Sequence, residues 1–272
     1  MSSSTTDFFS SNNYIAKFAF LLLVLFAFIV LLRVGILLIS LFTKPDDSPK
    51  LLTGMVDAKQ MIVFPQDPAS NGAKTIYRSA NQDGGIEFTW SVWIYIDNLQ
   101  YNEGQYKHVF YKGNQYKADE DGKGLNFPNN APGLYIAPDK NTLIVMMNTY
   151  NEINEQVEIP DIPLNKWVNV IMRCKNTTLD VYINGTIARS IQLMGVPKQN
   201  YGDVYVASNG GFDGSISNLW YYNHALGTRE IQKLTKDGPN TSSTGSTGTN
   251  IKTSDYLSMR WFFYGAGDGF NP

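Results

Sequence analysis

The sequence predicts an all-β antiparallel sandwich preceded by one transmembrane α-helix. Three observations support this fold class: a long apolar run near the N-terminus, a two-residue alternation over residues 86–96, and many short apolar segments separated by turn residues. The 272 residues suffice for one domain of about 150–200 residues with appendages.

The apolar run predicts a helix that spans a membrane. It extends without interruption from Phe18 to Leu32, resumes after Arg33 and ends at Phe42. A helix of that length, about 37 Å, exceeds the roughly 30 Å hydrocarbon core of a bilayer. The run is too long for the apolar part of a signal peptide and lacks the polar face of a buried globular helix. We therefore expect a single-pass anchor over residues 15–42.

Arg33 is the one charged residue within the apolar run. We expect its side chain to extend to the lipid headgroups, so that residues 15–32 span the bilayer. Pairing of Arg33 with another helix is the alternative. Lysines lie on both sides of the run, so the sequence does not determine which side of the membrane carries the sandwich.

Composition divides the rest of the chain into five segments. A short polar tail, residues 1–14, precedes the helix, and a Pro- and charge-rich stalk, residues 43–54, follows it. The sandwich is expected over residues 55–237. A Gly-, Ser- and Thr-rich linker, 238–250, leads to an aromatic tail, 251–272, which either returns as an edge strand or binds a partner.

Residues 86–96 give the clearest strand signal. Every even position is apolar: Ile86, Phe88, Trp90, Val92, Ile94 and Ile96. A period of two is typical of a strand with one face in a core. Trp93 and Tyr95 then point away from that core, where they either form a surface on which sugars stack or cover a neighbouring loop or contact a partner protein.

Further apolar segments predict the remaining strands. They are His108–Tyr111, Gly133–Ala137, Leu143–Asn148, Trp167–Cys174, Leu179–Ile183, Thr186–Gln192, Asp203–Ala207 and Ile216–Tyr222, with short extended segments in MVDAKQMIVFP and KTIYRS. Asn184-Gly185 predicts a type I′ hairpin turn. The alternation slips between Ile216 and Leu219, which indicates a bulge. Thr228–Leu234 is the one helix predicted in the domain.

Charge and cysteine content exclude some classes of function. The formal net charge is −2 and the basic residues form no cluster, so we expect no nucleic-acid partner. Cys174 is the only cysteine, so no intrachain disulfide forms, which favours folding in a reducing compartment. It is in phase with Val168, Val170 and Met172 and is expected to be a buried, unreactive side chain.

Four segments occur in the order and spacing of a known family: FTWSVWIYID, NKWVNVIMR, LDVYINGTI and FDGSISNLWYYNHALGTREIQKL. They resemble the laminin G-like branch of the concanavalin A-like lectin/glucanase superfamily. Trp90, Trp167, Asn184-Gly185, Gly214-Ser215-Ile216 and Tyr222 to Leu226 occupy the positions of the family pattern. The resemblance implies a concanavalin A-like sandwich, a fold that serves lectins, hydrolases and adhesion modules alike.

A narrower resemblance concerns the anchor followed by GMVDAK, PQDP and GGIEFTWSVWIYID. This arrangement is similar to membrane-anchored proteins of large DNA viruses. It implies a minor capsid protein at the interface between the inner membrane of a virion and its capsid, with capsid proteins as partners.

The sequence lacks the residues expected of an enzyme. Glycoside hydrolases of this superfamily place paired carboxylates on one strand, and no predicted strand carries that pattern. We therefore expect no catalytic activity and no cofactor. Asp119, Glu120 and Asp121 are weak candidates for a calcium site, and a solvated acidic loop is the alternative.

Two functions remain open. The first is a non-enzymatic structural protein that contacts other proteins, with Tyr116, Trp261 and Phe262 as contact candidates in the long loop and the tail. The second is a membrane-tethered lectin that binds glycans through Trp93 and Tyr95 on the outer face of their strand.

Overall fold

A computed structural model describes residues 14–43, 48–79, 81–82, 85–117 and 122–243. The chain forms two compact units, one ending at Asp46 and the other beginning at Asp47. The predictions for Asp119, Glu120, Asp121, Trp261 and Phe262, and for residues 1–13 of the N-terminal tail, concern positions outside the described residues.

In the N-terminal unit the described residues form one helix, α1 (Tyr14–Thr43). It covers the predicted residues 15–42 and continues through Arg33 without a break. Its segment Tyr14–Ser40 has a mean hydropathy of 3.1. By length and composition, α1 is a membrane anchor or a signal sequence.

The second unit contains thirteen described strands and one helix. In chain order they are β1 (Met55–Asp57), β2 (Ile62–Phe64), β3 (Asn81–Gln82), β4 (Gly85–Asn98), β5 (Lys107–Gly113), β6 (Gly133–Ile136), β7 (Thr142–Met147), β8 (Glu155–Pro160), β9 (Trp167–Asn176), β10 (Thr178–Ile183), β11 (Thr186–Gln192), β12 (Asp203–Val206), β13 (Asp213–Tyr222) and α2 (Thr228–Asp237).

The strands form two antiparallel sheets packed face to face, which confirms the predicted sandwich. Sheet A has the order β1-β13-β4-β9-β10-β11, with the short β3 paired to the start of β4. Sheet B has the order β2-β12-β5-β6-β7-β8. Each sheet contributes one apolar face to a shared core, as expected of two amphipathic layers.

Strand β4 carries the centre of that core. All six apolar even positions of residues 86–96 are buried there. The Trp90 ring lies 5.1 Å from the Phe110 ring of sheet B and 5.0 Å from the Tyr221 ring of sheet A. Cys174 is fully buried in the same core, and burial raises the pKa of its thiol to about 12, which makes it unreactive.

The predicted hairpin turn and the predicted bulge both occur at the expected positions. Asn184 and Gly185 have φ values of 50° and 77°, as a type I′ turn requires. The pairing of β13 with β4 shifts between Ser217 and Trp220, at the predicted bulge, and Asn218 has a φ of 50° there. Strand β8 was not predicted: it is an edge strand in which only Val157 and Ile159 are buried, so its apolar signal is weak.

The domain extends beyond the predicted boundaries at both ends. Leu51, in the predicted stalk, is 1% exposed, and its backbone N–H donates to the carbonyl of Leu219. At the other end, the carbonyl of Ser242 accepts from the N–H of Met55. Part of the stalk and the first residues of the predicted linker are therefore edges of the sandwich. The segment KTIYRS, at residues 74–79, is not a strand.

Candidate functional site

The outer face of sheet A is covered where Trp93 lies, so this side chain packs against a neighbouring segment, which was one of the two alternatives for it. Its side chain is only 7% exposed. Trp93 pairs with Asn169 and Ser217 on the adjacent strands. Ser217 Oγ donates to the carbonyl of Asn240, and Thr235 Oγ1 lies 3.5 Å from Asn169 Oδ1. The end of α2 and the residues after it therefore pack over the tryptophan.

Tyr95 is half-buried at the edge of the same face. Its ring centroid lies 5.5 Å from that of Trp167 on β9. Helix α2 packs farther along the sheet through Ile231 and Leu234. This face therefore presents Tyr95 beside a neighbouring tryptophan and lacks the open aromatic groove that the sequence suggested.

The outer face of sheet B carries a second aromatic group, which we call the closed layer: His108, Tyr111, Tyr135 and Tyr205. The rings of Tyr111 and Tyr205 stack 5.0 Å apart, and the His108 ring meets that of Tyr135 edge-on at 4.9 Å. The loop after β5 covers them. Tyr116, predicted as a contact residue, is half-buried against this layer, and its N–H donates to Tyr111 Oη.

His108 is fixed in the closed layer by one hydrogen bond. Its Nε2 lies 2.5 Å from the carbonyl oxygen of Gly124, so Nε2 is the protonated nitrogen. The other ring nitrogen, Nδ1, is buried and has no hydrogen-bond partner among the described residues. Burial lowers the pKa of His108 to about 4. The histidine is therefore neutral at physiological pH, as suits a packing role.

An open cavity of about 240 Å³ lies at one end of the sandwich, and we call it the end pocket. Its floor and walls come from seven separate parts of the chain. The lining residues are Ile76, Tyr77, Arg78, Phe88, Trp90, Lys112, Ala131, Tyr150, Lys198, Gln199, Asn200, Tyr201 and Tyr221. None of these described lining residues is an Asp or a Glu.

Two tyrosines form the rim of the end pocket. Tyr201 is 88% exposed and Tyr150 is 69% exposed, which is unusual for such large rings. The loops that carry them are joined by backbone hydrogen bonds, from Tyr150 N–H to the Val196 carbonyl and from Lys198 N–H to the Asn148 carbonyl. The rim is thus held by the fold while its aromatic rings face solvent.

The floor of the pocket is polar on one side. Lys112 is 7% exposed, and its Nζ donates to the carbonyls of Asn200, at 2.9 Å, and Gly202, at 2.6 Å. Burial lowers the pKa of Lys112 to about 8. Gln199 donates through Nε2 to Ser79 Oγ, while its Oε1 is buried without a partner among the described residues. The floor therefore combines a buried ammonium group with a buried amide oxygen that has no partner among the described residues.

A second cavity of about 310 Å³ adjoins the end pocket. The two share the side chains of Ile76, Lys112, Asn200 and Tyr201, so Tyr201 stands between them. Asp67 lines the second cavity but not the end pocket. The combined groove can take a ligand larger than one ring.

Metal binding finds no support in the described part of the chain, which contains no cluster of three or more His, Cys, Asp or Glu residues able to hold an ion. The calcium candidates Asp119, Glu120 and Asp121 lie outside those residues, so that site stays a prediction. The described pocket lining also lacks the paired carboxylates of a glycoside hydrolase.

Comparison with known proteins gives similarity of fold. No curated protein sequence is detectably similar to the chain. The receptor-binding domain of botulinum neurotoxin D is similar with 12% identity and a TM-score of 0.48, over 68% of this chain and 43% of that one. The receptor-binding domain of the C/D mosaic serotype is similar with 13% identity and a TM-score of 0.44, over 56% of this chain and 36% of that one. In both cases the chain spans less than half of the toxin domain.

A third similar structure is that of botulinum neurotoxin type C, whose cell entry is described as dependent on interaction with two ganglioside molecules. It gives 14% identity and a TM-score of 0.40, over 56% of this chain and 36% of that one.

A family model gives the stronger result. It is described as the Concanavalin A-like lectin/glucanases superfamily, Laminin_G_3, and it matches residues 69–232, more than half of the chain. The matched region includes the central strand β4, the Asn184-Gly185 hairpin and most of the end pocket. The chain therefore belongs to the concanavalin A-like lectin/glucanase superfamily through a laminin G-like domain.

Proposed function

We propose that this protein is a membrane-anchored, non-enzymatic binding module that recognises glycans in the end pocket. The observation that carries the proposal is the pair of exposed tyrosines, Tyr150 and Tyr201, at the rim of a cavity with polar groups in its floor. Sugar rings stack on such aromatic faces, while amides and amines bind their hydroxyls. Membership of a lectin-containing superfamily agrees with this.

The pocket differs from the glycan site expected on the outer face of sheet A. We now assign the ligand to Tyr150 and Tyr201, because Trp93 is covered by the chain itself. Both tyrosines lie in loops that the fold ties together, so the stacking surface is formed before a ligand arrives. A preformed site reduces the entropy lost on binding.

A glycan array with the full chain in detergent micelles tests the proposal. We expect specific binding that is competed by free sugar and falls at least about tenfold in Tyr201→Ala and Tyr150→Ala. Ile187→Ala removes an exposed apolar side chain from β11, away from the pocket lining, and is the matched control. Absence of any specific glycan, or full binding in both tyrosine variants, would overturn the proposal.

The proposed lack of catalytic activity is tested separately. The described lining of the end pocket has no carboxylate to act as acid, base or nucleophile. We therefore expect a bound β-glucan to be recovered intact after prolonged incubation with the protein. Release of shorter sugars by the purified chain, abolished by a pocket variant, would show that the protein is an enzyme.

The anchor can be distinguished from a signal sequence. If α1 is an anchor, the 30.5 kDa chain stays in the membrane pellet after alkaline carbonate extraction and keeps its N-terminus. A shorter soluble product that lacks α1 would identify the helix as a cleaved signal.

A structural role remains a second candidate. Met194 is 73% exposed and Ile153 is 44% exposed, and their loops are joined by a hydrogen bond from Asn151 Nδ2 to the Met194 carbonyl. Such an apolar patch suits a protein partner. The minor capsid role is the form implied by the narrower resemblance. Neither the fold nor the family tests the minor capsid role. Stoichiometric recovery of the protein from purified virions would test it.

A further inference from the structure

Three basic side chains surround the end pocket. Lys112 lies in its floor, Lys198 is half-buried beside the rim, and Arg78 is exposed on the arm that precedes β3. The Nζ of Lys198 lies 5.3 Å from the centroid of the Tyr150 ring, so a cation and an aromatic face form the same wall. No described lining residue is acidic, so the formal charges of the described lining residues are all positive.

In the described part of the chain, the close hydrogen-bond acceptors of the Lys112 ammonium group are uncharged. Its two close acceptors are backbone carbonyls, and a third acceptor, Asn200 Oδ1, is at 3.5 Å. Among the described residues it forms no ion pair within 4.0 Å, and the carboxylate of Asp203 acts on it only at longer range. Carbonyl dipoles solvate an ammonium group but leave its charge unneutralised, which is costly in a buried position.

We propose that the end pocket selects glycans that carry an anionic group, a carboxylate or a sulfate, bound beside Lys112 and Lys198. This inference rests on the proposed glycan-binding function and names the class of glycan. A bound anion would place a counter-charge close to Lys112, and charge-assisted hydrogen bonds to it are stronger than those between neutral groups. Burial lowers the pKa of Lys112 to about 8, and a nearby anion would favour its charged form.

The distribution of charge orients the ligand. Asp67 lines the second cavity and not the end pocket, so an anion is disfavoured in the second cavity and favoured in the end pocket. Gln199 Oε1 can only accept a hydrogen bond, so it suits a sugar hydroxyl. The anionic group is expected beside Lys112 and Lys198. A neutral ring extending towards Asp67 would stack on Tyr201, which lines both cavities.

The test compares three sugars that share one ring: a glucoside, the corresponding glucuronide and the glucoside 6-sulfate, each titrated onto the full chain in detergent micelles. We expect the glucuronide or the sulfate, or both, to bind at least about tenfold more tightly than the neutral glucoside. That preference should weaken as sodium chloride rises from about 50 to 500 mM, because the rim cations are partly screened.

Variants assign the preference to residues. Lys112→Met, Lys198→Gln and Arg78→Gln should each reduce the anionic preference and leave neutral binding within about twofold. Lys233→Gln changes an exposed lysine of α2 outside the pocket lining and is the matched control. Because Lys112→Met leaves two carbonyls unpaired, a folding defect there is separated from a binding defect by the two variants at the rim.

The outcomes separate the two proposals. Equal binding of neutral and anionic sugars, in the wild type and in the variants, would overturn the anionic preference and leave glycan binding intact. Failure of all three sugars, together with an empty glycan array, would overturn the proposed function itself.

Discussion

The end pocket and the closed layer are two aromatic regions of the same sandwich that differ in what covers them. The closed layer stacks Tyr111, Tyr135 and Tyr205 around His108 and lies under its own loop. In the end pocket the rings of Tyr150 and Tyr201 are exposed, and no described segment covers them.

Each region also contains a buried titratable group. In the closed layer it is His108, which is neutral, with aromatic rings around it. In the end pocket it is Lys112, which keeps only carbonyl acceptors within hydrogen-bonding distance. Aromatic content alone therefore does not indicate a binding site. Exposed rings beside buried polar groups that have few hydrogen-bond partners indicate one, whereas covered rings indicate packing.

The largest effect is expected for Tyr135→Ala in the closed layer. Tyr135 is fully buried, and its Oη donates to Asn130 Oδ1. Truncation leaves a cavity and an unpaired amide, so we expect a loss of about 3–5 kcal/mol in the free energy of unfolding. Urea denaturation followed by tryptophan fluorescence measures it, since all five tryptophans lie outside α1. A loss below about 1 kcal/mol would mean that the layer is not packed as described.

The second prediction concerns pH and His108. Its pKa is lowered from 6.5 to about 4, so the unfolded chain binds more protons than the folded chain between those values. Stability contributed by the neutral ring is therefore complete above pH 6.5 and is lost as the pH falls towards 4. We expect a fall of about 3 kcal/mol from this group.

The variant His108→Gln isolates that contribution, because glutamine can still donate to Gly124 and does not titrate. We expect its free energy of unfolding to change less between pH 6.5 and 4 than that of the wild type. His224→Gln, at an exposed histidine, is the control. An unchanged acid dependence in His108→Gln would exclude His108 as its source.

A smaller effect is expected for Asn130→Ala, beside the closed layer. Asn130 is buried; its Nδ2 donates to the Asn126 carbonyl and its N–H to Asn148 Oδ1. Removal of the side chain leaves the Tyr135 hydroxyl and the Asn126 carbonyl unpaired, at a cost of about 2 kcal/mol. Asn114→Ala, at an exposed asparagine of the same loop, should change the free energy of unfolding by less than about 0.5 kcal/mol. Equal losses in the two variants would count against a buried network.

The sequence predicts this fold well because the fold depends on local patterns. The alternation over residues 86–96 identifies a core strand, and Asn184-Gly185 encodes its own turn geometry. The bulge near Asn218 is visible as a slip in the same alternation. Each of these signals lies within a few adjacent residues, where the backbone geometry is decided.

The site is harder to predict because it depends on what covers each face. Alternation correctly places Trp93 outside the core, but it does not reveal that the chain after α2 packs over it. In the same way, the sequence does not reveal that Tyr116 packs against the closed layer. Tyr150 and Tyr201 lie 51 positions apart in segments without periodicity, and only their exposed rings and the loops joined in space identify the end pocket.

The smallest effect on stability is expected for Tyr201→Ala, the counterpart of Tyr135→Ala in the open region. The Tyr201 ring is 88% exposed, so its removal uncovers little apolar surface and should change the free energy of unfolding by less than about 0.5 kcal/mol. Glycan binding should nevertheless fall at least about tenfold, because the stacking surface is gone. A stability loss above about 1 kcal/mol with binding retained would show that Tyr201 is a packing residue. The end pocket would then resemble the closed layer, and the distinction between the two regions would fail.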